Sequence, residues 1–256
     1  MKRVLVIVPF PMPPELLANR QEQATEFDPG VELVYRPVRA APASYTSAFD
    51  AVLADMGILE AGLSAEEDGF DAVCIDTVSD SGVDALRSML DIPVIGPGRS
   101  MFMTALMLGS SFGVLTMWEE WFPLYTKTFS AMKIHDRCAG LRAAGIRPDN
   151  RALLAGKEGD VFPALEAAAR ALIDEDGADV ICLGSTTMHQ AHAHLSERLE
   201  VPVLNPGPLS YRFAEIVTAT GLTHSRRAHP RSQVPKPGLL HAMLDAVEDH
   251  PEAASR

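Results

Sequence analysis

Asp179-Val180-Ile181-Cys182-Leu183-Gly184-Ser185-Thr186-Thr187-Met188 is an apolar, β-branched run that breaks into small hydroxyl residues and leads into a helical pattern. Ala72-Val73-Cys74-Ile75-Asp76-Thr77-Val78-Ser79-Asp80-Ser81-Gly82 has the same shape. Such a run reads as a buried parallel strand opening onto a helix N-terminus. In open α/β sheets, ligands gather at the carboxyl ends of the strands, where free N–H groups point at anions. Two such stretches in one chain point to two half-sites for one small, negatively polarised ligand.

Working outward, each stretch is followed by a helix and then by a second strand with a matching end. Asp91-Ile92-Pro93-Val94-Ile95-Gly96-Pro97-Gly98 follows the first, and Glu200-Val201-Pro202-Val203-Leu204-Asn205-Pro206-Gly207 follows the second. Further strand-like runs are Val4–Val8, Val31–Tyr35, Phe112–Thr116 and Arg151–Leu154, with helical patterns at Met101–Leu108, Phe162–Asp176 and His189–Leu199. Alternation of this kind predicts an α/β fold with mainly parallel sheets. The repeat predicts two α/β domains related by a pseudo-two-fold. The first is residues 1–97 plus 208–256, the second is 98–207, and the active site is expected in the cleft between them. Residues after 225 read as a meandering tail with a terminal helix over Gly238–Asp249. The proline-marked ends at 96–98 and 205–208 read as turns on the functional rim.

Composition narrows the function classes. A formal net charge of −12 over 256 residues argues against nucleic acid and anionic membranes as partners. No apolar stretch approaches the roughly 20 residues that span a bilayer. Cys74, Cys138 and Cys182 have neither metal-ligand nor disulfide spacing and read as reduced thiols of a cytoplasmic protein. His189 and His192 share a helical face while His194 points elsewhere, which matches no zinc spacing, so no metal is expected.

The combination of segments resembles the aspartate/glutamate/hydantoin racemase superfamily, and its hydantoin and allantoin racemase branch in particular. The resemblance rests on Glu67-Asp68-Gly69-Phe70-Asp71-Ala72-Val73, Asp80-Ser81-Gly82-Val83-Asp84-Ala85, Arg137-Cys138-Ala139-Gly140-Leu141-Arg142-Ala143, Leu183–Met188, Gly221-Leu222-Thr223-His224-Ser225 and Pro235-Lys236-Pro237. It implies a cofactor-independent enzyme, a homo-oligomer, with a small carboxylate, amide or ring-imide substrate. It also implies two catalytic cysteines, and these positions are held here by Thr77 and Ser185. The family's Asn-Pro-Asn-Ser/Thr turn is replaced by Val8-Pro9-Phe10-Pro11.

Two-base racemisation suits thiols, whose unperturbed pKa is roughly 8.5; a hydroxyl needs a neighbouring base to do the same work. The expected chemistry therefore passes through a stabilised carbanion or oxyanion and ends in a lyase, decarboxylase or hydrolase step. An isomerase using other acid–base groups and a silent ligand-binding protein are the alternatives. The candidate catalytic residues are Ser185, Thr77, His189 and Asp80. The candidate substrate-binding residues are Pro11, Ser44, Tyr45, Asp76, Val78, Ser79, Trp118, Thr186 and Thr187. Each has a plainer reading beside it. Ser185 and Thr77 are candidate helix N-caps, Asp76 and Asp80 candidate turn-capping carboxylates, and Trp118 a candidate packing residue together with Trp121.

Overall fold

The computed structural model describes residues 1–25, 30–147 and 161–246. The chain divides into two compact units, Met1–Gly96 with Ser210–Arg256, and Pro97–Leu209. Each holds a four-stranded parallel sheet with covering helices.

In the first unit the strands are β1 (Arg3–Val8), β2 (Glu32–Pro37), β3 (Ala72–Ile75) and β4 (Val94–Ile95), in the order β2-β1-β3-β4. The central strand β1 has Val4 to Val8 fully buried, the continuous apolar run expected of a parallel strand covered on both faces. Helices α1 (Pro14–Thr25), α2 (Ala48–Gly62) and α3 (Val83–Arg87) connect the strands. Ser47 starts α2 with a capping box: its side chain accepts from Asp50 N, and the Asp50 carboxylate accepts from Ser47 N. Leu5, Ile7, Val73 and Ile75 pack with Ile58 and Ala61 of α2 and Val83 and Leu86 of α3.

The second unit repeats the order. Its strands are β5 (Phe112–Thr116), β6 (Cys138–Ala143), β7 (Ile181–Leu183) and β8 (Val203–Leu204), ordered β6-β5-β7-β8. Its helices are α4 (Pro97–Leu108), α5 (Phe122–Met132), α6 (Phe162–Asp174) and α7 (His189–Ser196). Leu115, Ile181 and Leu183 pack against Leu165, Ala169 and Leu172 of α6 and Ala191 and Leu195 of α7. Phe102 of α4, Phe112 of β5 and Phe129 of α5 form a ring cluster with centroids 4.9 to 5.5 Å apart. Helix α8 (Pro206–Ala219) runs from this unit into the first, and α9 (Pro237–Asp245) closes the described chain.

Several local expectations change. The run Arg151–Leu154 lies outside the described residues. The strand beside β5 is Cys138–Ala143, an edge strand of half-buried residues in which Leu141 is the one large apolar side chain, so no apolar alternation betrays it. Pro97 and Pro206, expected in turns, begin helices; a proline is tolerated at the first helical position, where its missing N–H has no partner to lose. The last helix begins at Pro237 and ends at Asp245 within the described chain.

Candidate functional site

In each unit the parallel strands end on one edge of the sheet, and that unit's own hydroxyl loop follows a strand there. The loops continue the ladder in the same way. Asp76 N donates to Ile7 O at 2.9 Å, and Gly184 N donates to Leu115 O at 2.8 Å. The next residues, Thr77 and Ser185, are half-buried, and each stands between buried neighbours. In both loops the hydroxyls pair two residues apart. Thr77 Oγ1 and Ser79 Oγ are 3.1 Å apart, and Ser185 Oγ and Thr187 Oγ1 are 2.8 Å apart. Ser79 extends the first chain to Ser81 at 3.0 Å.

Neither loop is itself a helix N-terminus. The helices begin later, at Val83 and His189, with Gly82 and Met188 in the capping positions and no side-chain cap on either. The N-cap readings of Thr77 and Ser185 are thereby overturned, as is the expectation that each strand opens directly onto a helix N-terminus. The cause is local: the hydroxyls satisfy one another, and the chain makes turns first (Asp80 N to Thr77 O, 3.2 Å; Met188 N to Ser185 O, 3.4 Å). His189 is the first residue of α7 rather than a residue one turn inside it.

Ser185 Oγ also accepts the Thr187 N–H at 3.2 Å. Among the described residues it bonds to no imidazole or carboxylate, so it lacks the adjacent base of an activated nucleophile. When Thr187 Oγ1 is the donor in their 2.8 Å contact, the Ser185 proton is left to point out of the loop, the arrangement suited to stabilising developing negative charge.

Both loops are braced from below. Tyr125 of α5, fully buried, bonds Thr116 Oγ1 at 2.8 Å and donates to Gly184 O at 2.9 Å. A side chain at Gly184 would run into that phenol. In the first loop, Gly82 N donates to Asp55 of α2 at 2.8 Å. Asp80 is buried in the left-handed region (φ 52°), which aspartate tolerates better than most residues, and its carboxyl lies where a Cβ on Gly96 would be. Val78, Ser79 and Thr186 are buried, and Thr187 is half-buried.

Asp76 is not turned outward. Its carboxylate takes Arg20 of α1 on both oxygens, Nε to Oδ2 at 3.1 Å and Nη2 to Oδ1 at 2.9 Å, with both side chains almost wholly buried. Nearby, Tyr35 and Tyr211 share a hydroxyl contact of 2.6 Å, and burial raises both phenols above their usual range. Sequence reasoning missed Arg20, Tyr125 and this tyrosine pair.

The remaining candidates are scattered. Tyr45 donates to Pro9 O at 3.0 Å, tying its loop to the end of β1, while Pro11 is exposed and Ser44 half-buried. Trp118 sits edge-on to Trp121 at 6.4 Å with Arg147 over its ring at 5.5 Å, and both tryptophans pack on the second unit's core. The three histidines go separate ways. His192 contacts Val203 O at 3.1 Å, and His194 stacks on Phe162 and reaches Glu166 at 3.2 Å. Burial lowers the His192 pKa, so the unfolded chain takes up this proton first as pH falls below about 6.5. Stability contributed here is present above that pH and is lost on acidification. Thermal melts of His192→Gln should accordingly depend less on pH between 7 and 5 than those of the parent; an identical slope would discount this residue.

Burial raises all three thiols above their ordinary range. Cys74 is fully buried, with its Sγ 3.7 Å from Ser210 O; burial pushes it up to about 12, the Ser210 contact opposes this and Asp76 adds to it. Burial, with Cys138 adding to it, raises Cys182 well above its ordinary value. Cys138 is pushed up to about 11, again mainly by burial.

A family model described as Asp/Glu/Hydantoin racemase matches residues 17–214. The chain belongs to the Asp/Glu/hydantoin racemase family. A hydantoin racemase of Paenarthrobacter aurescens is 29% identical over 188 residues, covering 72% of this chain and 78% of that protein. The crystal structure of allantoin racemase from Pseudomonas fluorescens superposes with a TM-score of 0.81 at 26% identity, over 91% of this chain and 98% of that one. Arylmalonate decarboxylase, at 17% identity and a TM-score of 0.56 over 86% of this chain and 94% of that one, shares the fold. Among the described residues, no helix is long and apolar enough to cross a membrane.

Proposed function

We propose that this racemase-family chain is an enzyme acting on a small carboxylate, amide or ring imide through a carbanion or oxyanion, with a non-thiol mechanism. The observation that carries this reading is the state of the cysteines. The chain has only three, and every one is held protonated by its surroundings. Thr77 and Ser185 stand where the resemblance puts the family's thiols, and their hydroxyls serve as donors to developing charge rather than as proton-abstracting bases. A lyase, decarboxylase or hydrolase step follows more readily from such donors than a two-base racemisation. An isomerase reading remains as the second, because Asp80 is a buried carboxylate within the first loop and His189 directly follows the second.

Proton NMR in D2O with hydantoins, allantoin and an arylmalonate separates these outcomes. Loss of carbon dioxide or ring opening supports the leading reading. Exchange at the α-carbon with an unchanged skeleton supports the isomerase. Replacing Cys74 and Cys182 with Ala and Cys138 with Ser should spare most of the turnover, although melting temperature falls because two buried side chains are trimmed. Turnover that disappears while the fold persists would show a working thiol and end the non-thiol proposal.

A further inference from the structure

We infer that Asn205 is a substrate-binding residue whose carboxamide selects the amide edge of a ligand over a carboxylate. This inference rests on the proposed reading that the chain binds a small carboxylate, amide or imide.

Asn205 ends β8 and immediately precedes α8. The register pairs Ile181 with Val203 and Cys182 with Leu204. One step further sets Asn205 beside Leu183, on the sheet edge that carries the Gly184–Thr187 loop. The residue is 7% exposed, yet neither Oδ1 nor Nδ2 has a hydrogen-bond partner among the described residues. Because both atoms lack partners, exchanging their assignment changes nothing. Buried side-chain amides are seldom left with neither end satisfied.

The ordinary role for an asparagine before a helix is to cap it by accepting the N–H two or three residues on. Here the third position is Pro208, which has no N–H, and Asn205 Oδ1 makes no such bond. The matching position in the first sheet is Gly96, where a side chain would collide with the Asp80 carboxyl. The two loops thus reverse the arrangement. The first has an aspartate in the loop and a bare strand end, whereas the second has Met188 in the loop and a carboxamide at the strand end. The amide is a feature of one sheet only, so the fold does not require it.

A primary carboxamide presents an N–H donor and a carbonyl acceptor side by side in one plane. A ring imide or lactam presents the complementary pair along its cis-amide edge, so one ligand group satisfies both atoms. A carboxylate supplies acceptors alone and leaves Oδ1 unpaired.

The test uses the full chain, the variants Asn205→Leu and Asn205→Asp, and three probes: hydantoin, succinimide and succinate. Calorimetric binding of hydantoin and succinimide should exceed that of succinate in the parent. Both variants should bind the two imides at least about tenfold more weakly, the effect of losing roughly one good hydrogen bond. Ligand-free Asn205→Leu should melt at or above the parent temperature, since an unsatisfied buried group has been removed. Imide binding unchanged in Asn205→Leu overturns the inference and leaves the proposed function standing. A ligand-free Asn205→Leu that melts well below the parent overturns it too, by showing that the amide serves the fold. So does a parent that prefers succinate. A parent that binds none of the three probes overturns the functional reading, and the inference with it.

Discussion

Ser185→Ala is expected to lower turnover by at least about two orders of magnitude, the scale of losing a proton donor or an oxyanion contact. Three features of the second loop set this expectation. Ser185 is half-buried at the carboxyl edge of the sheet, between the buried Gly184 and Thr186. Its oxygen accepts the Thr187 N–H and pairs with the Thr187 hydroxyl. The carbonyl before it is fixed by the buried Tyr125 phenol. The serine is not a helix cap, so its removal costs stability only through the bonds within its own turn, about 1 kcal/mol. A large loss of rate with a small loss of stability is therefore the expected pattern. Ser185→Thr retains the hydroxyl and should recover part of the rate. A Ser185→Ala enzyme that turns over like the parent removes this residue from the mechanism and leaves Thr77, Asp80 and His189 to be tested.

The parallel α/β plan was legible because its central strands announce themselves. Val4–Val8, Phe112–Leu115 and the runs ending at Ile75 and Leu183 are apolar throughout, the pattern of strands covered on both faces. The edge strand Cys138–Ala143 carries no such signal, because its residues are all half-buried and Leu141 is its one large apolar side chain. The hydroxyl loops were legible as loops but not in their internal geometry. Side chains two residues apart satisfy one another and delay the helices to Val83 and His189, and such local competition leaves no mark on residue periodicity. The supporting residues were hidden for a different reason. Arg20 meets Asp76 across 56 positions, and Tyr125 meets Gly184 across 59, distances at which a single sequence shows no coupling. Asn205 was visible but lay within Asn-Pro-Gly-Pro, where turn chemistry was the simpler account of every residue.

Arg20→Ala is expected to destabilise the protein by about 3–5 kcal/mol, because it leaves the buried Asp76 carboxylate without its bidentate cation. For a chain of this size that corresponds to a fall of roughly 10 °C in melting temperature. The pair is better suited to holding a conformation than to adding net stability, since taking both charges out of water offsets much of their attraction. The double variant Arg20→Met with Asp76→Leu should therefore regain most of the lost stability. Its activity then assigns the role of Asp76. Asp76 directly precedes Thr77, and its backbone N–H donates to Ile7 O on β1. If Asp76 acts only by holding the loop, turnover should return in part along with stability. If it touches substrate, turnover should stay low in a protein that melts normally. An Arg20→Ala protein that melts like the parent would show that the ion pair does not brace the Thr77 loop at all, and the rigid placement of that hydroxyl would then have to come from Asp55 and the Ser79–Ser81 chain.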